Sequence, residues 1–184
     1  MRPLSSTIEE LEASMRDCEQ MKGLSVLAHG EMVHSHYQKL LETIGEDEFL
    51  NAIYQVSKNS IADLTTMRRY HVYHDCGKPL VKDAEGRFPE HEKASAAQWS
   101  FLYPEDSVVI DLMSKDMLFH TLRGEEVVAL WSDPLAPSLY FTAWAELYAN
   151  AEMFGGRDSD SFKIKRKRLM QAGKKFISAS CVSV

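Results

Sequence analysis

The chain has 184 residues, 45% of them hydrophobic and 26% charged, which is the balance of a globular protein long enough to bury a core without disulfides. No apolar run approaches the roughly 18–20 residues that span a bilayer, and the N-terminus lacks the apolar stretch of a secretory signal. Three widely spaced cysteines (Cys18, Cys76 and Cys181) without a CxxC pair predict reduced thiols. These features exclude a membrane-spanning or disulfide-stapled protein and favour a cytoplasmic one.

The net charge of −6 conceals an asymmetry along the chain. Residues 1–162 carry 14 Lys and Arg against 27 Asp and Glu, a net charge of −13, whereas residues 163–184 carry seven Lys and Arg and no acid. An acidic body repels a polyanion unless metal ions or local cations offset its charge. The basic tail can attract the same polyanion.

Helical periodicity dominates the chain, beginning with Ser6 and Glu9, which predict a capping box before the first helix. Further helices are predicted at residues 24–43, 49–56, 61–73, 91–101, 107–113, 125–131, 139–154 and 161–177. Two prolines and a glycine in residues 79–90 predict a loop or a small hairpin. Because strand patterns are scarce and no repeat or linker divides the chain, we predict one all-α domain over residues 1–184.

Histidines and one aspartate recur at spacings that suit a metal site in a helical protein: His29, His74-Asp75, His91 and His120. Neighbouring residues on a helix point about 100° apart, so an adjacent pair reaches one ion only if the ion lies in the wedge between them. Gly77 and Pro79 then end the helix and leave Lys78 beside the pair. Imidazole and carboxylate ligands together suit Mn, Fe, Co, Ni or Zn.

A single histidine is more often structural than a ligand, and we interpret His34, His36 and His71 as structural, with His34 or His36 as possible supporters of a site. The argument for a metal site therefore depends on the combination. Some of these residues make a site for one ion, and the remaining histidines can complete a second. Two metals about 3.5–4 Å apart stabilise the attacking and leaving oxygens of a phosphoryl displacement.

The order of these residues resembles the HD superfamily of metal-dependent phosphohydrolases over roughly residues 25–155. That family's first ligand commonly opens a helix of the form H-G-x-x-V, and residues 29–33 read HGEMV. Its HD pair is commonly followed by a hydrophobic residue, Gly and Lys, and residues 74–78 read HDCGK, with Cys76 in the hydrophobic position. The resemblance implies an HD-type helical bundle that uses divalent metal ions, two of them, with Mn, Fe, Co, Ni, Zn and Mg not distinguished.

The resemblance also implies a ligand set. It assigns one metal to His29, His74, Asp75 and Glu146, and a second metal to His91 and His120 together with Asp75. The family's last ligand is usually an aspartate, so Glu146 departs from the pattern, and a solvated or helix-capping acid is the alternative. Asp116, four residues before His120, is a further possible supporter. Asp75 and Lys78 are the predicted catalytic residues, with Lys78 offsetting charge on the phosphoryl oxygens.

Several basic or polar residues are placed to meet a phosphorylated substrate: Lys78, Arg87, Arg123, Asn150, Lys165 and Arg166. The last two belong to a basic C-terminal helix predicted at about residues 161–178, which either contacts RNA phosphates or is a solvated helix face. A narrower resemblance, carried by YHDCGKP, FPEHEKAS and AELYANAEMFGG, is to HD modules of RNA end repair. It implies a terminal phosphate or a small nucleotide phosphate as substrate.

The predicted function is hydrolysis of a phosphomonoester or a 2′,3′-cyclic phosphate on a nucleotide or nucleic-acid end. Some proteins of the HD fold instead hold two irons and oxidise small alcohols or phosphonates with the same ligand order, so the ligands do not separate the two chemistries. A non-catalytic binding module is a third alternative. Spacing alone separates neither the substrates nor the metals.

Overall fold

The computed structural model describes residues 4–181, with side chains described to residue 178. Within this part of the chain there are eleven α-helices, two 3-10 turns and one two-stranded hairpin. The prediction of an all-α protein is therefore confirmed. Cys181 ends the last helix, but its side chain lies outside the described residues.

The described chain divides into two compact units. The first runs to His34 and resumes over Asp63–Met117, and the second comprises Ser35–Ala62 and the residues from Leu118 onward. The helix α2 (Val26–Glu42) begins in the first unit and ends in the second. The expectation of one domain over 1–184 stays a prediction.

The first unit carries most of the predicted site on short helices. Its other elements are α1 (Ile8–Asp17), the antiparallel strands β1 (Glu19–Met21) and β2 (Leu24–Ser25), α4 (Leu64–Tyr73), α5 (Lys78–Val81), α6 (His91–Leu102) and α7 (Ser107–Lys115). Fully buried side chains such as Met67, Tyr70 and Leu112 form its core. Burial of such apolar side chains is the main term that stabilises the unit.

The second unit is built around one buried helix. Its elements are α3 (Glu48–Ser57), α8 (Leu118–Thr121), α9 (Glu125–Leu130), α10 (Ala136–Met153) and α11 (Asp160–Cys181), with 3-10 turns at Ile44–Glu46 and Lys58–Ser60. Most side chains of α10 are buried, as is typical of a helix that has no polar face. The helix α11 is tied to the unit because Trp131 and Tyr140 donate hydrogen bonds to its backbone carbonyls, each at 3.0 Å.

One local prediction is wrong, and a second is wrong only at its start. The first helix is capped by Thr7, whose hydroxyl accepts from the backbone N–H of Glu10, so the cap lies one residue later than Ser6 and Glu9 predicted. Ser6–Glu9 and Thr7–Glu10 both fit the Ser/Thr-x-x-Glu pattern, so the pattern alone does not choose between them. The predicted loop at 79–90 is present over residues 82–90, but residues 79–81 belong to α5, because Pro79 occupies the second position of the helix, where its missing N–H costs no hydrogen bond.

Among residues 4–181, none of the helices combines the length and the apolar character needed to cross a bilayer.

Candidate metal centre

Four predicted ligands lie together in the first unit. His29 lies in the first turn of α2, the pair His74-Asp75 follows the last residue of α4, and His91 begins α6. The first three are almost completely buried, and the side chain of His91 is 15% exposed. Lys78, the predicted catalytic cation, begins α5 and is also buried.

The glycine of the HGEMV segment allows α2 to approach α4. A Cβ atom on Gly30 would lie 2.2 Å from the backbone oxygen of Val72, far closer than any real contact. Any larger residue would therefore push the two helices apart. The close approach brings the rings of His29 and His74 to a centroid distance of 5.7 Å.

The glycine of the HDCGK segment has the same role on the other side of the pair. A Cβ atom on Gly77 would lie 2.3 Å from the backbone nitrogen of Ser95 on α6. The Gly77 N–H also donates to the Ser95 hydroxyl at 2.9 Å. This contact fixes the turn that carries Asp75 against the helix that begins at His91.

Asp75 is the centre of the cluster. Its Oδ2 atom lies 3.3 Å from His74 Nε2 and 3.9 Å from His29 Nε2. Its Oδ1 atom lies 3.4 Å from His91 Nε2 and, among the described residues, has no hydrogen-bond donor although it is buried. One carboxylate thus presents Oδ2 to two imidazoles and Oδ1 to a third.

Backbone carbonyls orient two of these rings. His74 Nδ1–H donates to the His71 carbonyl at 2.7 Å, and His91 Nδ1–H donates to the Phe88 carbonyl at 3.0 Å. Because a carbonyl oxygen only accepts, Nδ1 carries the hydrogen, and in a neutral ring Nε2 then has a lone pair. In both rings this nitrogen faces an oxygen of Asp75, which is repulsive unless a cation or a proton lies between them. Metal-binding histidines are commonly oriented by such outer hydrogen bonds.

The electrostatic environment keeps Asp75 ionised. Burial by itself raises the pKa of Asp75, but the neighbouring His74, Lys78 and His29 outweigh burial and hold the pKa well below its usual range. Lys78 Nζ donates to Asp75 Oδ2 at 2.6 Å and to Gln20 Oε1 at 2.9 Å. The low pKa favours the ionised carboxylate, and a buried anion requires cationic partners.

The spacing of the donor atoms fits a divalent ion. Two atoms that each lie about 2.1 Å from one ion are about 3.0–3.4 Å apart in octahedral or tetrahedral geometry. The two shorter nitrogen–oxygen distances around Asp75, 3.3 and 3.4 Å, fall in that range. Donor atoms of His29, His74 and Asp75 all lie within 4.8 Å of one another. Ring nitrogens, the buried carboxylate and its undonated oxygen together make a cluster that can hold a metal ion.

The two other predicted ligands lie in the second unit and contact each other. His120 Nε2 and Glu146 Oε2, on α8 and α10, are 2.7 Å apart. Glu146 lies in the middle of α10 and its side chain is only 9% exposed, so it is neither a solvated acid nor a helix cap. That this pair joins the cluster around Asp75 stays a prediction.

The predicted phosphate-binding arginines are engaged locally. Arg87 is exposed and pairs with Asp83 at 2.9 Å and Glu85 at 3.0 Å within its own loop. Arg123, also exposed, donates to the backbone oxygens of Leu122 and His120. Their role toward a substrate stays a prediction.

The remaining predicted substrate residues lie at the start of α11 and the end of α10. Asn150 and Lys165 line the same small cavity, of about 60 Å³, in the second unit. Arg166 is exposed, as are its basic neighbours Lys163, Lys165, Lys167 and Arg168. The basic face of α11 therefore points to solvent, while Phe162, Leu169 and Ala172 are buried on its other face.

Four contributors were not predicted from the sequence. Gln20 accepts from Lys78, Ser95 binds the Gly77 N–H, and the carbonyls of His71 and Phe88 orient two imidazoles. Every residue has a carbonyl, so no pattern marks the two that orient histidines. Gln20 is 58 positions from Lys78, and only the folded chain brings them together.

The other histidines and Asp116 also have partners. His34 and His71 are both buried, with their Nδ1 atoms 3.2 Å apart. His36 Nε2 lies 3.1 Å from the carboxylate of Glu152. The buried carboxylate of Asp116 accepts a hydrogen bond from the Tyr70 hydroxyl.

Comparison of the chain with models of protein families, with curated proteins and with solved structures found no match.

Proposed function

We propose that this protein is a metal-dependent phosphohydrolase of the HD type, which hydrolyses a phosphomonoester or a 2′,3′-cyclic phosphate of a nucleotide or nucleic-acid end. The observation that carries the proposal is the cluster around Asp75. A buried, ionised carboxylate faces three imidazole nitrogens and one ammonium. That donor set suits a divalent transition metal, and it stands at the positions of the HD pattern.

The residues of the cluster have separate roles in this proposal. His29, His74, His91 and Asp75 would hold divalent cations, which would supply Lewis-acid charge for phosphoryl transfer and activate water at neutral pH. Lys78 has three N–H groups, of which Asp75 and Gln20 accept two. The third can be donated to a phosphoryl oxygen, where charge increases in the transition state. This ammonium beside the cluster favours a phosphorylated substrate over a small alcohol.

The basic face of α11 supports a nucleic-acid end as substrate. Seven Lys and Arg lie in residues 163–184 without an acid, and those at 163 and 165–168 are exposed. Exposed cations of this density bind phosphate backbones through counterion release. We also propose a cytoplasmic location, which agrees with the reduced, buried thiol of Cys76.

A phosphate-release screen tests the proposal directly. The purified protein is assayed with Mn²⁺, Co²⁺, Ni²⁺ or Mg²⁺ against 2′-, 3′- and 5′-nucleotides and 2′,3′-cyclic nucleotides, with EDTA and Asp75→Asn as controls. We expect release of phosphate, or opening of the cyclic ester, that requires both the metal and Asp75. Oxygen consumption by an iron-loaded protein, with no hydrolysis of any substrate, would instead indicate the oxidative chemistry of the same fold.

A further inference from the structure

A second concave site lies in the first unit, apart from the cluster around Asp75. It is a cavity of about 690 Å³ between α1, α4, α6 and the start of α7. We call it the aromatic pocket, and it is lined by Arg68, Tyr73, Trp99 and Tyr103 among others. Its volume lies in the range of small-molecule sites, about 300–1,000 Å³, and none of the predicted metal ligands lines it.

Three aromatic rings form one wall of the aromatic pocket. The rings of Tyr73 and Trp99 stack at a centroid distance of 4.8 Å, and Tyr103 continues the row 4.7 Å from Trp99. Trp99 is only 2% exposed, whereas Tyr73 and Tyr103 are half-buried. The hydroxyl of Tyr73 donates to Glu12 at 2.8 Å, which holds its ring in place. The row therefore ends in the partly accessible ring of Tyr103, on which a further planar group can stack.

A hydrogen-bonded group keeps this wall rigid. Arg69 donates to both carboxylate oxygens of Asp106, at 2.9 and 3.1 Å, and the indole N–H of Trp99 donates to the same carboxylate at 3.1 Å. Two-point arginine–carboxylate pairs have well-defined geometry. The indole is thus fixed in orientation before any ligand arrives, which lowers the entropic cost of binding.

A second arginine in the lining, Arg68, is available for an anion. Arg68 is 55% exposed and pairs with Glu31, itself 47% exposed, at 3.1 Å. Exposed pairs of this kind contribute little, so a phosphate can replace the glutamate. Arg68 can donate two N–H groups to one phosphate, a geometry that suits guanidinium. Glu105, also exposed in the lining, offers an acceptor for an exocyclic amino group.

We propose that the aromatic pocket binds a purine nucleoside monophosphate, with the base stacked on Tyr103 and the phosphate on Arg68. This assignment goes beyond the proposed hydrolysis and does not depend on it, because it concerns binding at residues outside the metal cluster. It makes the protein a nucleotide-binding protein with a second site.

Calorimetric titration with adenosine 5′-monophosphate, in EDTA, tests the assignment. We expect the nucleotide to bind the wild-type protein. Tyr103→Leu should weaken this binding at least about fivefold, because the stacking is lost. Arg68→Ala should bind the nucleotide only as tightly as the wild type binds adenosine. Adenosine should bind the wild type more weakly than the nucleotide. EDTA removes divalent metals, so hydrolysis can fail or succeed without affecting this result.

Two variants provide matched controls. Phe101→Leu removes an aromatic ring near the end of α6 that is 57% exposed and does not line the pocket. Arg157→Ala removes an exposed arginine that does not line the aromatic pocket. Both should bind the nucleotide as the wild type does. The proposal is overturned if the nucleotide does not bind, if adenosine binds equally well, or if Tyr103→Leu and Arg68→Ala behave like these controls.

Discussion

At the scale of single residues, the negative charge of Asp75 is the feature on which the surrounding groups depend. Asparagine has nearly the same shape but no charge, so Asp75→Asn leaves Lys78 and any bound cation without their buried counterion. We expect hydrolysis to fall by about 10³-fold or more, while the helical circular dichroism stays close to that of the wild type. Initial rates with the best substrate and metal measure the effect. Asp111→Asn, on the exposed face of α7, is the matched control; equal rates in the two variants would contradict the role of Asp75.

Lys78 is predicted to act on the substrate rather than on the metal. Lys78→Met keeps most of the buried alkyl chain and removes the ammonium that contacts Asp75 and Gln20. In the wild type this ammonium offsets charge in the transition state. We therefore expect the variant's kcat to fall by about 10²-fold while its metal content is retained. Lys82→Met, one turn later and exposed, should behave like the wild type. Loss of the metal together with the activity would show that Lys78 supports the metal site instead.

At the scale of helices, Gly30 sets the distance between α2 and α4. Gly30→Ala inserts a methyl group 2.2 Å from the Val72 carbonyl, a backbone atom that cannot move alone. We expect the free energy of unfolding to fall by about 1–3 kcal/mol, as in other overpacked sites. Gly45→Ala is the control, because no atom lies within 4 Å of its added Cβ. Urea unfolding of the two variants measures the difference, and equal stability would contradict the close approach.

The helix before the HD pair is capped by an ionised side chain. Asp63 accepts from the hydroxyl and N–H of Thr66 and from the N–H of Thr65. These hydrogen bonds, those of Thr66 first, lower the pKa of Asp63 in the folded protein. The carboxylate therefore stabilises the fold above its unfolded pKa of about 3.9, and this contribution is lost as the pH falls through the folded pKa.

Asp63→Asn separates this effect from capping in general, because asparagine also caps helices but does not titrate. We expect the wild type to be more stable than the variant near neutral pH and the difference to shrink below about pH 4. Chemical unfolding of both proteins across the acidic range measures it. A difference that is constant with pH would show that the charge of Asp63 does not contribute.

The periodicity of apolar residues was sufficient to predict most helices, because a helix must bury one face wherever it packs. Helix boundaries that depend on one hydrogen bond were harder to predict, as the shift of the first cap to Thr7 shows. The position of the HD pair at a helix end also followed from the sequence, since Gly77 and Pro79 come directly after it. The close approaches at Gly30 and Gly77 could not be derived, because they depend on partners far away in the chain.

At the scale of the whole molecule, opposite charges are separated along the sequence. Residues 1–162 have a net charge of −13 and residues 163–184 a net charge of +7. Reversing Lys165, Arg166 and Lys167 to glutamate should weaken binding to single-stranded RNA and make the affinity less dependent on salt. The slope of log affinity against log salt concentration should change by about 0.7 for each RNA phosphate that is no longer neutralised. Fluorescence anisotropy at several salt concentrations measures both effects.

A control with the same change in net charge shows whether position matters. Reversing Lys22, Lys58 and Lys93, all exposed and outside α11, alters the total charge equally. We expect this variant to keep most of the wild-type affinity. If both triple variants lose affinity equally, net charge rather than the basic face of α11 governs binding.

The binding of a divalent ion by Asp75 and its histidines is the claim on which the proposed function depends, and metal analysis tests it most directly. The protein is purified without chelator, and its bound metals are quantified alongside those of Asp75→Asn and His74→Gln, with folding checked by circular dichroism. We predict at least one transition-metal ion per wild-type chain and a marked loss in both folded variants. A wild-type protein that binds no ion, even after incubation with Mn²⁺, Fe²⁺, Co²⁺, Ni²⁺ and Zn²⁺, would contradict the account.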